Sequence, residues 1–125
     1  MQFEDITKKI IGFAYRVYNK MGFGFLESVY EKCLLIELHK SGLKFKDQSA
    51  ISVYYDNQNV GDFIADIIVE DEVIVELKSV RRIIKAHEVQ LVNYLVATRK
   101  DIGLILNFGE TKVEVKRKLR YLEND

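Results

Sequence analysis

The sequence contains no proline and only one cysteine, and it carries no net charge. Without proline, and with no Gly/Ser-rich stretch of linker length, nothing divides the chain, so residues 1–125 are expected to form one domain. A single cysteine, Cys33, excludes an internal disulfide and a cysteine-based zinc site. It lies among apolar residues at helical spacing, where a small buried hydrophobe is expected. The two histidines, His39 and His87, are too far apart in sequence to suggest a histidine metal cluster. No run of about 18 apolar residues is present to span a membrane, and the N-terminus lacks the apolar block of a signal peptide. These absences point to a soluble, cytoplasmic protein with no membrane association. Lys plus Arg and Asp plus Glu each number 19, which leaves no global field to gather polyanions. Nucleic-acid binding, if any, must then depend on a local basic surface.

What the chain does have is a clear alternation of periods. Ile6, Ile10, Phe13, Ala14 and Val17 recur at helical spacing across residues 4–20. Gly22 and Gly24 end that pattern, and a second helix is expected over residues 25–40. Its apolar face would be Leu26, Val29, Tyr30, Cys33, Leu34 and Leu38, with Gly42 as C-terminal cap. Strand character follows at 49–55, 62–69 and 73–78. The first two are separated by the turn-prone Asp56-Asn57-Gln58-Asn59 and the last two by Glu70-Asp71-Glu72. A third helix is expected at 87–99, offering Val89, Val92, Tyr94, Leu95 and Val96 for burial. Residues 102–108 are apolar throughout, as in a strand covered on both faces. After Gly109-Glu110-Thr111, Val113 and Val115 alternate with charged neighbours in a last strand. Two helices, three strands, a helix and two strands describe an α/β fold, a mixed β-sheet flanked by helices.

The chemically informative stretch runs from Phe63 to Lys78. Glu76 and Lys78 are two apart on one strand and share a face with Ile74, while Val73, Val75 and Leu77 point the other way. Asp66 lies on the preceding strand, and register decides whether it joins them. A three-residue loop, Glu70 to Glu72, pairs Val69 with Val73 and sets Asp66 across from Glu76. A two-residue loop would set it across from Leu77, on the wrong face. In the first register two carboxylates meet at cross-strand distance, where they repel unless a cation lies between them. A hard cation such as Mg²⁺ suits such an oxygen site, and Lys78 beside it can hold an attacking water or offset phosphate charge. Taken alone, Asp-x9-Glu-x-Lys is a weak signal, since charges alternating on a strand usually mark a solvated face. Its place on two adjoining apolar strands, followed by a long helix, strengthens it.

Gly24-Phe25-Leu26-Glu27-Ser28-Val29-Tyr30 resembles the signature of the GxxExxY proteins, a group of the PD-(D/E)XK nuclease superfamily. The similarity continues through Gly61, the Asp66 strand, Val75-Glu76-Leu77-Lys78, Gln90-Leu91-Val92-Asn93-Tyr94-Leu95 and Gly103-Leu104-Ile105-Leu106-Asn107-Phe108-Gly109, covering about residues 5–120. The resemblance implies a restriction-endonuclease-like core. In it Asp66 and Glu76 bind a metal, Glu27 adds a helix-borne carboxylate to the metal site, Lys78 is the catalytic lysine, and Gln90 stands near the metal centre. Tyr30 and Tyr94 match signature positions, where packing roles are expected, and Gly24 would serve the turn into the helix. Two departures stand out: Ala65 replaces the proline that gives the superfamily its name, and Ile64 stands where relatives often carry arginine.

The function implied is Mg²⁺- or Mn²⁺-dependent hydrolysis of nucleic-acid phosphodiester bonds, with DNA as the expected substrate. Arg81, Arg82 and Lys85, just after the site, are candidate nucleic-acid contacts. Lys116, Arg117, Lys118 and Arg120 form a second basic group for which a solvated face is an equal reading. His87 is expected to be packed or exposed rather than to line the site. The rival function is a non-catalytic domain that binds nucleic acid or protein on the same fold, which the neutral charge favours. A homodimer is compatible with either.

Overall fold

The computed structural model describes residues 3–120, with the side chain of Phe3 excluded. Helices α1 (Phe3–Met21) and α2 (Glu27–Ser41) come first, then strands β1 (Phe45–Tyr55), β2 (Gln58–Val69) and β3 (Val73–Lys78). Helix α3 (Lys85–Thr98) leads into β4 (Ile102–Phe108) and β5 (Val113–Leu119). The strands form one sheet in the order β1-β2-β3-β4-β5. All neighbours are antiparallel except β3 and β4, which run parallel because α3 crosses over between them. No helix among the described residues is long and apolar enough to cross a membrane.

Helices α1 and α2 cover one face of the sheet. Ile6, Ile10, Ala14 and Val17 from α1 and Tyr30, Leu34 and Leu38 from α2 pack onto Val73, Val75, Leu77, Leu104, Leu106 and Phe108. Tyr30 is wholly buried and stacks on Phe108, with ring centroids 4.3 Å apart and an interplanar angle of 1°. Its hydroxyl donates to the Gly22 carbonyl (2.6 Å) and accepts from the Phe25 N–H (3.2 Å), fixing the turn between the helices. Tyr30 is therefore a packing residue, as expected of it. Cys33 is partly buried against the same core. Gly42 caps α2 in the left-handed region at φ 81°, its N–H bonded to the His39 carbonyl.

Helix α3 covers the other face, where Leu91, Tyr94 and Leu95 pack with Ile51, Ala65, Ile68, Ile74, Ile83 and Ile105. The approach is closest at Gly103, where a Cβ would stand 2.7 Å from Leu91 Cδ1. Asn107, wholly buried at the end of β4, pins the segment after β3. Its Oδ1 accepts from the Val80 N–H and its Nδ2 donates to the Val80 carbonyl, both at 2.9 Å.

Several sequence expectations need correction. Leu26 lies outside α2 and is 76% exposed, and Val89 and Val96 face solvent on α3. Leu91 takes the buried position instead, because the face of α3 turned to the sheet is the i, i+3, i+4 set 91, 94 and 95, from which Val89 and Val96 are rotated away. Strand β1 begins at Phe45 rather than Ser49. The following turn is the two-residue Asp56–Asn57, both left-handed (φ 49° and 61°), as a tight hairpin requires.

Candidate active site

The β2–β3 hairpin adopts the register with a three-residue loop: Val69 pairs with Val73, Ile68 with Ile74 and Ile67 with Val75. There the ladder stops, although β3 continues beside β4 as far as the Lys78–Asn107 pair. Strand β2 thus parts from β3 at Asp66 and Glu76. In place of ladder bonds, each carboxylate reaches across to the other strand's backbone. The Asp66 N–H donates to Glu76 Oε2 (2.9 Å), and the Leu77 N–H donates to Asp66 Oδ2 (2.8 Å). The two acids are thereby locked at the apex of a cleft between diverging strands.

The divergence has a local cause in the neighbouring strand. Gln48, which falls opposite Asp66 between the pairs Asp47–Ile67 and Ser49–Ala65, has φ 51°. That left-handed residue reverses the alternation of the hairpin. Phe45, Ile67 and Val69 pack toward α1 and α2, whereas Ile51 and Ala65 pack toward α3. The Gln48 amide donates to both carboxylate oxygens of Glu31, at 2.9 and 3.2 Å, and stands near enough to Asp66 to lower its pKa. Neither Gln48 nor Glu31 stood out in the sequence. Glu31 lies one helical turn after Glu27, and that i, i+4 spacing on one face of α2 was the available signal.

Burial dominates the electrostatics. Glu76 is 7% exposed, and its pKa is pushed up to about 8, first by desolvation and then by the Asp66 charge. The Asp66 N–H and Lys78 oppose that shift, while Glu27 adds to it. Asp66 is also raised by desolvation, against the Leu77 N–H, the Lys78 charge and the Gln48 amide. Glu31 is raised for the same first reason, with Asp66, Asp47 and Glu27 adding repulsion against the lowering bond from Gln48. A cluster of half-desolvated carboxylates facing a single neighbouring lysine is short of positive charge.

An all-oxygen donor set of this kind fits a hard divalent cation. Among the described residues no three His, Cys, Asp or Glu side chains stand close enough together to hold a metal ion, so a cation at this pair would need water or substrate oxygens to complete its shell.

The other candidates divide. Glu27 is exposed in the first turn of α2, close enough for its charge to act on Glu76. Gln90 is exposed on α3 and makes no hydrogen bond to the carboxylates; its side chain lines a groove with Phe63 and Tyr94. Tyr94 is buried, and the pKa of its hydroxyl is raised by desolvation and then by the Glu76 and Asp66 charges. His87 accepts the Ile84 N–H at Nδ1 (3.2 Å) and so holds the start of α3. Arg82 and Lys85 are exposed and form no ion pair among the described residues, whereas Arg81 leans toward Glu110 at 4.0 Å across the β4–β5 turn. The C-terminal basic group is not simply a solvated face. Arg117 donates to the buried Thr7 hydroxyl (2.6 Å), Lys118 pairs with Glu88 (3.1 Å) and Arg120 pairs with Asp101 (2.6 Å).

Comparison with known proteins follows the same lines. No curated protein is similar enough to count as a relative. The solved crystal structure of SSO0001 superimposes with a TM-score of 0.62 at 14% identity, which speaks for the fold alone. The superposition covers 77% of this chain but 51% of the other, so the chain spans about half the length of that protein. Residues 4–118 match the sequence pattern of a nuclease superfamily whose fold is the mixed sheet and flanking helices described above. The chain belongs to the PD-(D/E)XK nuclease superfamily.

Proposed function

We propose that the chain is a Mg²⁺- or Mn²⁺-dependent nuclease of the GxxExxY group that hydrolyses nucleic-acid phosphodiester bonds, with DNA as substrate. The observation that carries this reading is the interlocked pair Asp66 and Glu76, buried and short of positive charge, with Lys78 beside them. Asp66 and Glu76 would hold the cation, with Glu27 contributing from α2. When bound, the cation supplies charge stabilisation at the phosphate oxygens. Lys78 orients the attacking water and offsets negative charge; the water oxygen bonds to phosphorus as the phosphorus–oxygen bond to the leaving group breaks, and the water's proton passes through solvent to the departing oxygen. Gln90 would act on the substrate rather than on the carboxylates, since it lines the groove along α3 and makes no hydrogen bond to them.

The test combines calorimetric titration of Mg²⁺ or Mn²⁺ with cleavage assays on single- and double-stranded DNA and RNA. Metal binding lost in Glu76→Ala, with cleavage lost in both Glu76→Ala and Lys78→Ala, is the expected result. Cleavage unchanged in either variant would remove the assignment. A wild-type chain that binds neither metal, even with a non-cleavable oligonucleotide present, would leave only a non-catalytic binding role.

A further inference from the structure

Past Gly61 and Phe63 the β1–β2 hairpin has left β3, and across from it α3 runs alongside an open groove of about 990 Å³. Phe63 and Tyr54 line it from the hairpin, Val89 and Val96 from the helix, with Tyr94 between them. These side chains would add to the core if the groove were closed. Instead Phe63, Val89, Val96 and Tyr54 are 44%, 47%, 58% and 64% exposed. A contiguous apolar patch of this kind marks a binding surface. Phe63 and Tyr94 are already in ring contact, centroids 5.7 Å apart and tilted by 43°, so the groove contains a small aromatic platform.

Charge narrows the occupant. Among the described residues the groove is lined by Lys85 at one end of α3 and Arg99 at the other, and by no aspartate or glutamate. Neither cation forms an ion pair among the described residues. Fourteen residues of helix separate them by about 20 Å, a span suited to a short run of backbone phosphates. Gln90 and Asn93 lie between and offer amide donors and acceptors. Aromatic rings between cations match an unpaired nucleic-acid strand, whose bases expose their faces for stacking while its phosphates need cations. A duplex hides its base faces and is held mainly through phosphates, for which a chain of zero net charge is poorly equipped. A second copy seated on this groove by two-fold symmetry would set like charges against each other.

We propose that this groove seats an unpaired strand of nucleic acid, its bases on the exposed rings of Phe63 and Tyr54, with Tyr94 backing Phe63 from beneath, and its phosphates on Lys85 and Arg99. Phe63 stands on β2 three residues before Asp66, so the groove opens along the same strand that carries one of the two carboxylates. Delivery for cutting rests on the nuclease reading; the binding itself does not.

Fluorescence anisotropy in EDTA separates the two. Labelled oligothymidine, oligouridine and a blunt DNA duplex are titrated with wild type, Phe63→Ala and a Lys85→Ala/Arg99→Ala double variant, each checked for an unchanged melting temperature. At least one single strand is expected to bind about tenfold more tightly than the duplex, with Phe63→Ala weakening it about tenfold. The double variant is expected to flatten its salt dependence. Comparison of oligothymidine with oligouridine identifies the sugar. Equal affinity for strand and duplex, or affinity unchanged in both variants, overturns the proposal. So does a dimer in sedimentation velocity that Phe63→Ala dissolves, which would assign the groove to a second copy. Tight strand binding without metal-dependent cleavage would sink the nuclease reading and leave the groove standing. Cleavage with a KM indifferent to Phe63 would do the reverse.

Discussion

On the face of the sheet covered by α1 and α2, Tyr30 and Phe108 stack out of reach of solvent, and every large apolar side chain of β3 and β4 on that side is covered. On the α3 face the inner half is just as closed, around Leu91 and Ile105, but the outer half leaves Phe63, Tyr54, Val89 and Val96 in contact with water. The same hairpin takes part in both, because its alternation reverses at Gln48 and Asp66. One side of the molecule therefore holds the fold together, while the outer part of the other is available to ligands. The carboxylates sit where the two meet.

Truncation should separate these roles. Tyr30→Ala or Phe108→Ala removes a buried ring and is expected to cost about 3–5 kcal/mol in urea unfolding. Phe63→Ala, a larger change to the surface than to the core, is expected to stay within about 0.5 kcal/mol of wild type. A loss above about 2 kcal/mol from Phe63→Ala would mean that the outer groove is structural after all, and the contrast between the faces would fail.

The junction should show itself through pH. In the folded, metal-free protein the Glu76 pKa is pushed up to about 8 from an ordinary value of 4.5. A raised carboxylate favours the folded state in its protonated form, so that contribution is fully present below the ordinary value and is lost as pH rises through about 8. Asp66 is raised as well and acts in the same direction. Unfolding in EDTA is thus expected to show stability falling between pH 4.5 and 8, by on the order of 5 kcal/mol. Glu76→Gln should flatten that slope, and Mg²⁺ should oppose it by stabilising the charged form. A stability that rises with pH across this window in EDTA would contradict the burial of the pair.

A smaller effect is expected at Gly103, where α3 lies closest to the sheet. Gly103→Ala forces Leu91 aside from a contact of 2.7 Å, at a cost of about 1–3 kcal/mol in thermal or urea melts. A neutral result would show that α3 can slide outward, and that the division between its tight inner end and open outer end is not fixed. Asn107→Ala is of similar size, about 1–3 kcal/mol, because it leaves the Val80 amide and carbonyl without their partner.

Much of this was legible before the structure. Strands β3 and β4 were placed to the residue, because continuous apolar runs bounded by acidic turns leave little freedom. The three-residue loop followed from demanding that Asp66 and Glu76 share a face, and the Val69–Val73 pair agrees with it. What escaped depends on contacts that no period encodes. Gln48 adopts a left-handed backbone although it is neither glycine nor asparagine, so the reversal of the hairpin had no local signature. Val89 and Val96 looked like core residues because apolarity alone does not reveal whether an opposing wall is near. Arg117 looked like part of a charged surface, yet its partner is Thr7, 110 residues earlier in the chain.

The smallest effect is expected at Arg81, and it bears on where the open side ends. Its side chain is 86% exposed, and its distance to Glu110 is 4.0 Å, the geometry of an ion pair whose desolvation is slight and whose attraction water screens. Arg81→Ala is therefore expected to change stability by less than about 0.5 kcal/mol. If Arg81 belongs to the nucleic-acid surface, the logarithm of affinity against the logarithm of salt should become shallower by roughly one unit. If it only answers Glu110, the slope stays as in wild type, and phosphate contact is confined to Arg82, Lys85 and Arg99. Glu110→Gln distinguishes the two from the other side: freeing Arg81 from its carboxylate should strengthen binding only if the guanidinium can reach a phosphate.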